Sequence, residues 1–244
     1  MNKYKVIPLS REYITQQASN IRKATQTENI FVFPIERIIE TLLECMGGNL
    51  EILEDHELPS NIPARTISYV NDNSNNNLPY TNTIQVKESV YVGATLGNPE
   101  DRFTLAHEMG HAFLFHGYIN NNYVCKEEEE IPTKEDPEWQ ADTFAKELLA
   151  PSYLFNGRNH EEIAIKCKLP LKYALQQSDL VSAESFIKYE LDPNLGQVFK
   201  NKNYVVNYPE VPFPLDQLLL IPSNAPIFRK LIIKNNLIFQ NPNY

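Results

Sequence analysis

Apolar residues recur along this chain with a helical period in some stretches and an alternating one in others, and the switches mark its elements. After Ser10, whose side chain suits a helix cap, Ile14, Ala18, Ile21 and Ala24 fall on one helical face. A second helix is predicted to open with Pro34 as its first residue, to bury Ile35, Ile38, Ile39, Leu42, Leu43 and Met46, and to stop at Gly47-Gly48. Extended segments follow near Asn49–Leu53, Ala64–Val70 and 83–92; in the last, Ile84, Val86, Val90 and Val92 share a face that Glu88 interrupts. The polar run at 71–77, almost all Asn, reads as an exposed loop.

Asn98 as cap and Pro99 at the first position open a helix with too many apolar residues for one stripe: Phe103, Leu105, Ala106, Met109, Ala112, Phe113 and Leu114 predict burial on most sides. Past an acidic connection centred on residues 127–130, Asp136 caps and Pro137 opens another helix, which carries Trp139, Phe144, Leu148 and Leu149 up to Pro151. Residues 163–181 read as two short helices joined at Leu169-Pro170. Helices bracketing a few short strands give an α+β class, with a small mixed or antiparallel sheet packed on helices. We expect one domain over residues 1–190, with its helical segment at about 160–190, and a C-terminal extension over 191–244 of unknown role, where prolines become frequent and the charge turns slightly basic.

Composition narrows the partners. A net charge of −9 in 244 residues disfavours nucleic acid or anionic membrane as the main partner. No stretch resembles a signal peptide or a membrane span, so the expected location is the cytoplasm. Cys45, Cys125 and Cys167 are far apart and odd in number, which fits reduced thiols.

The chemistry concentrates in His107-Glu108-Met109-Gly110-His111. Imidazoles four residues apart lie on one helical face, separated by about 6 Å of rise, and form a ligand pair for one metal ion. With only 5 His in the chain, this motif is expected by chance about 0.01 times. Zinc suits two neutral imidazoles, with manganese or iron as alternatives, and Glu108 is placed to act as general base. The third ligand has to come from elsewhere. Glu138 on the later helix would complete a His, His, Glu set, with Glu135 its rival; Asp142, one turn on, can accept the free ring N–H of His107 or pair with Lys146 at the surface. Leu114 and Gly117 stand where a three-histidine metzincin needs Gly and His, which excludes that class. His116, on the helix or just past it, is the candidate stabiliser of the transition state.

The arrangement HExxH followed by ExxxD resembles the thermolysin-like gluzincins. The longer blocks RFTLAHEMGHAFLFH and EWQADTFAKELLAP are similar to the ImmA/IrrE family of bacterial metallopeptidases, over about residues 33–189. Asp142 stands where that family commonly has Asn, and one extra residue precedes His116 relative to the usual HExxHxxxH. The resemblance implies a zincin-like fold, His107, His111 and Glu138 as ligands and Glu108 as base. It also implies intracellular cleavage of a specific partner: a helix-turn-helix transcriptional repressor, often of a mobile element, cut after a stress signal.

Two other readings are carried alongside. One is a non-catalytic, metal-containing sensor or toxin-like protein that binds a repressor without cutting it. The other is DNA binding through the helix-turn-helix-like segment at 163–181, where Lys166, Lys168 and Lys172 supply modest positive charge next to Glu161 and Glu162. Substrate docking or completion of the core suits that segment better.

Overall fold

A computed structural model describes residues 4–70, 80–114, 116–119, 130–155 and 158–179. The Asn-rich run at 71–77, Cys125, most of the acidic run and the expected extension at 191–244 lie outside them.

Helix α1 (Arg11–Ala24) begins where Ser10 Oγ accepts the backbone N–H of Tyr13, and it buries Ile14, Ala18 and Ile21 as the period requires. Helix α2 spans Ile35–Cys45, one residue later than expected: Pro34 takes the cap position, with a ψ of 64° that is not helical. Its end is a left-handed Gly47, φ 72°. Gly48 then passes so close to the sheet that a Cβ there would sit 2.6 Å from the carbonyl oxygen of Asn82.

Strands β1 (Asn49–Leu53), β2 (Ala64–Val70) and β3 (Tyr80–Lys87) form one mixed sheet of order β1-β3-β2. β3 is central, parallel to β1 with Leu50 opposite Ile84, and antiparallel to β2 with Thr66 opposite Ile84. Its Ile84 and Val86 are fully buried.

The extended segment expected over 83–92 stops at Lys87, and Glu88–Thr95 is helix α3. Alternation and a helical period agree on Val90, which is buried either way. Val92 separates them: it is 45% exposed, as a position two residues further round a helix should be. Asp55 Oδ1 accepts the N–H of Ser89 at 3.0 Å, satisfying a first-turn donor that a strand would have spent on its neighbour.

Gly97, φ 88°, turns the chain into α4 (Pro99–Phe113), whose cap Asn98 accepts from the backbone N–H groups of Glu100 and Asp101. This helix is the middle of the molecule. It packs on α6 (Pro137–Leu149), and β2, β3, α2 and α3 cover other sides. Leu105, Ala106, Met109 and Ala112 have no exposed surface. Arg102, buried beside them, donates to Glu36 Oε2 at 2.8 Å and to the carbonyl of Phe33, tying α4 to the start of α2. A short α5 (His116–Ile119) follows directly, so His116 lies just past α4.

Asp136 Oδ1 caps α6 through the N–H of Glu138 at 2.9 Å. Helix α7 (His160–Cys167) ends in a left-handed Lys168, φ 50°, and residues 171–179 are again helical after Leu169-Pro170. Cys167 is a free, buried thiol. Among the described residues, no helix is long and apolar enough to cross a membrane.

Candidate metal centre

The buried run of α4 carries both imidazoles to its contact with α6, where the two Nε2 atoms lie 3.0 Å apart. Glu138, in the first turn of α6, meets them: Oε2 is 3.2 Å from His107 Nε2, and Oε1 is 3.6 Å from His111 Nε2. Gly110 permits this approach. A Cβ on Gly110 would be 3.0 Å from the Cα of Ala141, so a side chain there would push the backbone of α6 back by a few tenths of an ångström.

Among the described residues, His107, His111 and Glu138 form the group of side chains able to hold a metal ion, with candidate ligand atoms all within 4.8 Å of one another. Two atoms bound tetrahedrally to one zinc, each about 2.1 Å from it, lie roughly 3.4 Å apart. The observed separations of 3.0, 3.2 and 3.6 Å bracket that value, so the donor set fits one such cation. The rival Glu135 sits in a 3-10 turn, Thr133–Glu135, outside this group.

Asp142, one turn beyond Glu138, accepts at 2.9 Å from the Nδ1 of His107. The alternative surface partner, Lys146, is itself buried and donates to Gln176 Oε1 at 3.3 Å. Burial works against charge on His107, but hydrogen bonds to Asp142 and Glu138 outweigh it and lift the imidazole to about 10. The hydrogen bond from His107 holds the Glu138 carboxyl well below the usual carboxylate range. The side chain of Glu138 is 63% exposed, against 18% for His107 and 10% for His111.

Glu108 leaves the ligand face and turns toward β2. Its Oε2 accepts from Thr66 Oγ1 at 2.8 Å, and its own backbone carbonyl lies 3.0 Å from the same hydroxyl. Its charge also acts on His107, one residue away. His116 lies behind the centre. Its Nδ1 is 2.8 Å from His111 Nδ1 and its Nε2 is 2.9 Å from Gln140 Oε1; with 1% of the residue exposed, both ring nitrogens are engaged inside the protein. Burial pushes this imidazole down to about 3.

Thr66 and Gln140 escaped the sequence reading. Thr66 lies 42 residues before its partner, with no spacing rule to connect them. Gln140 carries a faint signal, a polar residue two positions from Glu138 on the inward side of a helix, but nothing names its partners in advance.

A family model described as the IrrE N-terminal-like domain, from a peptidase family, matches residues 66–173, a segment that starts at Thr66 and includes every side chain of the centre. Neither the curated proteins nor the solved structures contain a match to the chain.

Proposed function

Through residues 66–173 the chain belongs to the ImmA/IrrE family of peptidases, and we infer that it is a zinc-dependent endopeptidase acting in the cytoplasm on one protein partner. That partner is a helix-turn-helix transcriptional repressor, whose cleavage relieves repression. The observation that carries the reading is the convergence of His107 Nε2, His111 Nε2 and the Glu138 carboxylate within 4.8 Å, with Glu108 next in the chain.

Two imidazoles and a carboxylate on an accessible face are the donors of a catalytic zinc site, which keeps a position open for water; manganese or iron can use the same donors. When bound, the cation supplies Lewis-acid activation of a water and of the scissile carbonyl. Glu108 takes the proton from the attacking water and later delivers it to the leaving amine. Thr66 holds one carboxylate oxygen of Glu108, which leaves the other for that proton. Asp142 orients His107 through Nδ1. His116, with both nitrogens engaged, acts from behind His111 and not on the substrate.

The test is incubation of the purified protein with the helix-turn-helix protein encoded beside it, with and without a chelator, next to Glu108→Gln. Cleavage that stops with the chelator and in the variant supports the reading. Bound metal with no cleavage of any protein offered would favour a sensor that binds without cutting.

A further inference from the structure

Behind His111 runs a chain of buried polar atoms that admits one consistent placement of protons. Gln140 has no exposed surface, and its Nε2 donates to the carbonyls of Ile7 at 2.8 Å and Lys134 at 2.7 Å. Carbonyl oxygens only accept, so this end of the amide must be the NH2 group, and Oε1 faces the other way. Oε1 in turn can only accept, so His116 Nε2, 2.9 Å away, carries the proton. A neutral imidazole has one N–H, which leaves His116 Nδ1 as an acceptor. The proton between His116 Nδ1 and His111 Nδ1, 2.8 Å apart, therefore belongs to His111. With Nδ1 protonated, His111 Nε2 keeps its lone pair, and that is the atom turned toward His107 and Glu138.

We propose that Gln140 and His116 are positioning residues that set the tautomer of His111, so that the backbone carbonyls of Ile7 and Lys134 hold a metal-ligating nitrogen in its lone-pair form. The inference rests on the reading of His107, His111 and Glu138 as metal ligands. It makes the segment before α1 part of the centre: Ile7 is 133 residues from Gln140 and is held there also by the hydrogen bonds from Val6 N to Glu135 O and from Leu9 N to Lys134 O. His107 obtains the same result from a charged acceptor, Asp142, near solvent. His111 lies deeper and uses a neutral relay, which avoids placing a charge in the core.

The test has two arms on the full chain. In the first, zinc affinity is measured by chelator competition for wild type, Gln140→Leu, His116→Leu and Ile39→Val, the last a core change on α2 that leaves the relay alone. Both relay variants should bind zinc about 10- to 100-fold more weakly, while Ile39→Val matches wild type. Wild-type affinity in Gln140→Leu would overturn the proposal, as would an equal loss in Ile39→Val, since a general loss of stability would then explain the effect. In the second arm, nitrogen-15 spectra of the zinc-free wild type should show His111 protonated at Nδ1 and His116 at Nε2. The opposite tautomer at His111 overturns the proposal even if both variants fail to fold. A wild type that takes up no zinc defeats the metal reading instead, and the spectra still decide the relay.

Discussion

Thr66 Oγ1 lies 2.8 Å from Glu108 Oε2, which joins an outer strand of the sheet to the carboxylate beside His107, the first histidine of the candidate metal centre. A hydroxyl from β2 thereby fixes a side chain on α4 that helix geometry alone would leave free to rotate. Thr66→Val preserves the shape of the residue and deletes the donor. Turnover should fall by roughly tenfold, the worth of one hydrogen bond, with KM and zinc content unchanged and with Thr66→Ser restoring the rate. An unchanged turnover number would show that Glu108 needs no such support. Glu108→Gln should cost far more, about 100-fold to 10,000-fold, because it removes the proposed base itself.

Glu138→Ala should abolish retention of zinc through gel filtration, whereas Glu135→Ala should retain it at one ion per chain, read by elemental analysis. Addition of zinc should raise the melting temperature of the wild type and not that of Glu138→Ala, because an ion that binds only the folded chain stabilises it by mass action. Zinc loss from Glu135→Ala with retention in Glu138→Ala would move the third ligand to the 3-10 turn.

Gly110→Ala should destabilise the fold by about 1–3 kcal/mol, the usual cost of overpacking. The new Cβ meets the Cα of Ala141 at 3.0 Å and its carbonyl oxygen at 3.1 Å, and these are backbone atoms that cannot swing aside. Relief comes only from moving α6 off α4, which draws Glu138 away from the histidines, so zinc affinity should fall together with the denaturation midpoint. A variant that loses stability but binds zinc as tightly as wild type would contradict this coupling.

Burial pushes the Cys167 thiol up to about 11, while the unfolded chain ionises it near the ordinary 9.0. Between those values the folded state holds a proton that the unfolded state has released, so stability must fall as pH rises from 9 toward 11, and the contribution is whole below 9. Urea midpoints at about pH 8 and about pH 10.5 should differ more for wild type than for Cys167→Ala. Alkylation of Cys167 in the native protein should be slow at neutral pH, measured on its own peptide by mass spectrometry. Fast labelling would show that α7 opens readily.

Local rules carried much of the fold and half of the centre. Ser10, Asn98 and Asp136 cap their helices, and the histidine pair shares a face, because spacing within one helix is set by covalent geometry. Residues 83–92 misled for the same reason: Val90 satisfies both periods, and the partners that accompany the helix, Asp55 at the N–H of Ser89 and the packing of α3 on α4, come from other parts of the chain.

The amino-acid sequence by itself determined that His107 and His111 share one helical face at a spacing suited to one ion, because an intrahelical separation is independent of the rest of the molecule; for a third donor it offered Glu138 and Glu135 without choosing by geometry. The tertiary structure alone decided that Glu138 and not Glu135 reaches the pair, that Thr66 holds Glu108, and that His116 stands behind His111 on a relay ending at Ile7 and Lys134. Each of those contacts joins segments whose distance in space depends on how closely two elements pack, here on the missing side chain of Gly110 and the docking of the chain before α1. Sequence spacing contains no term for that distance.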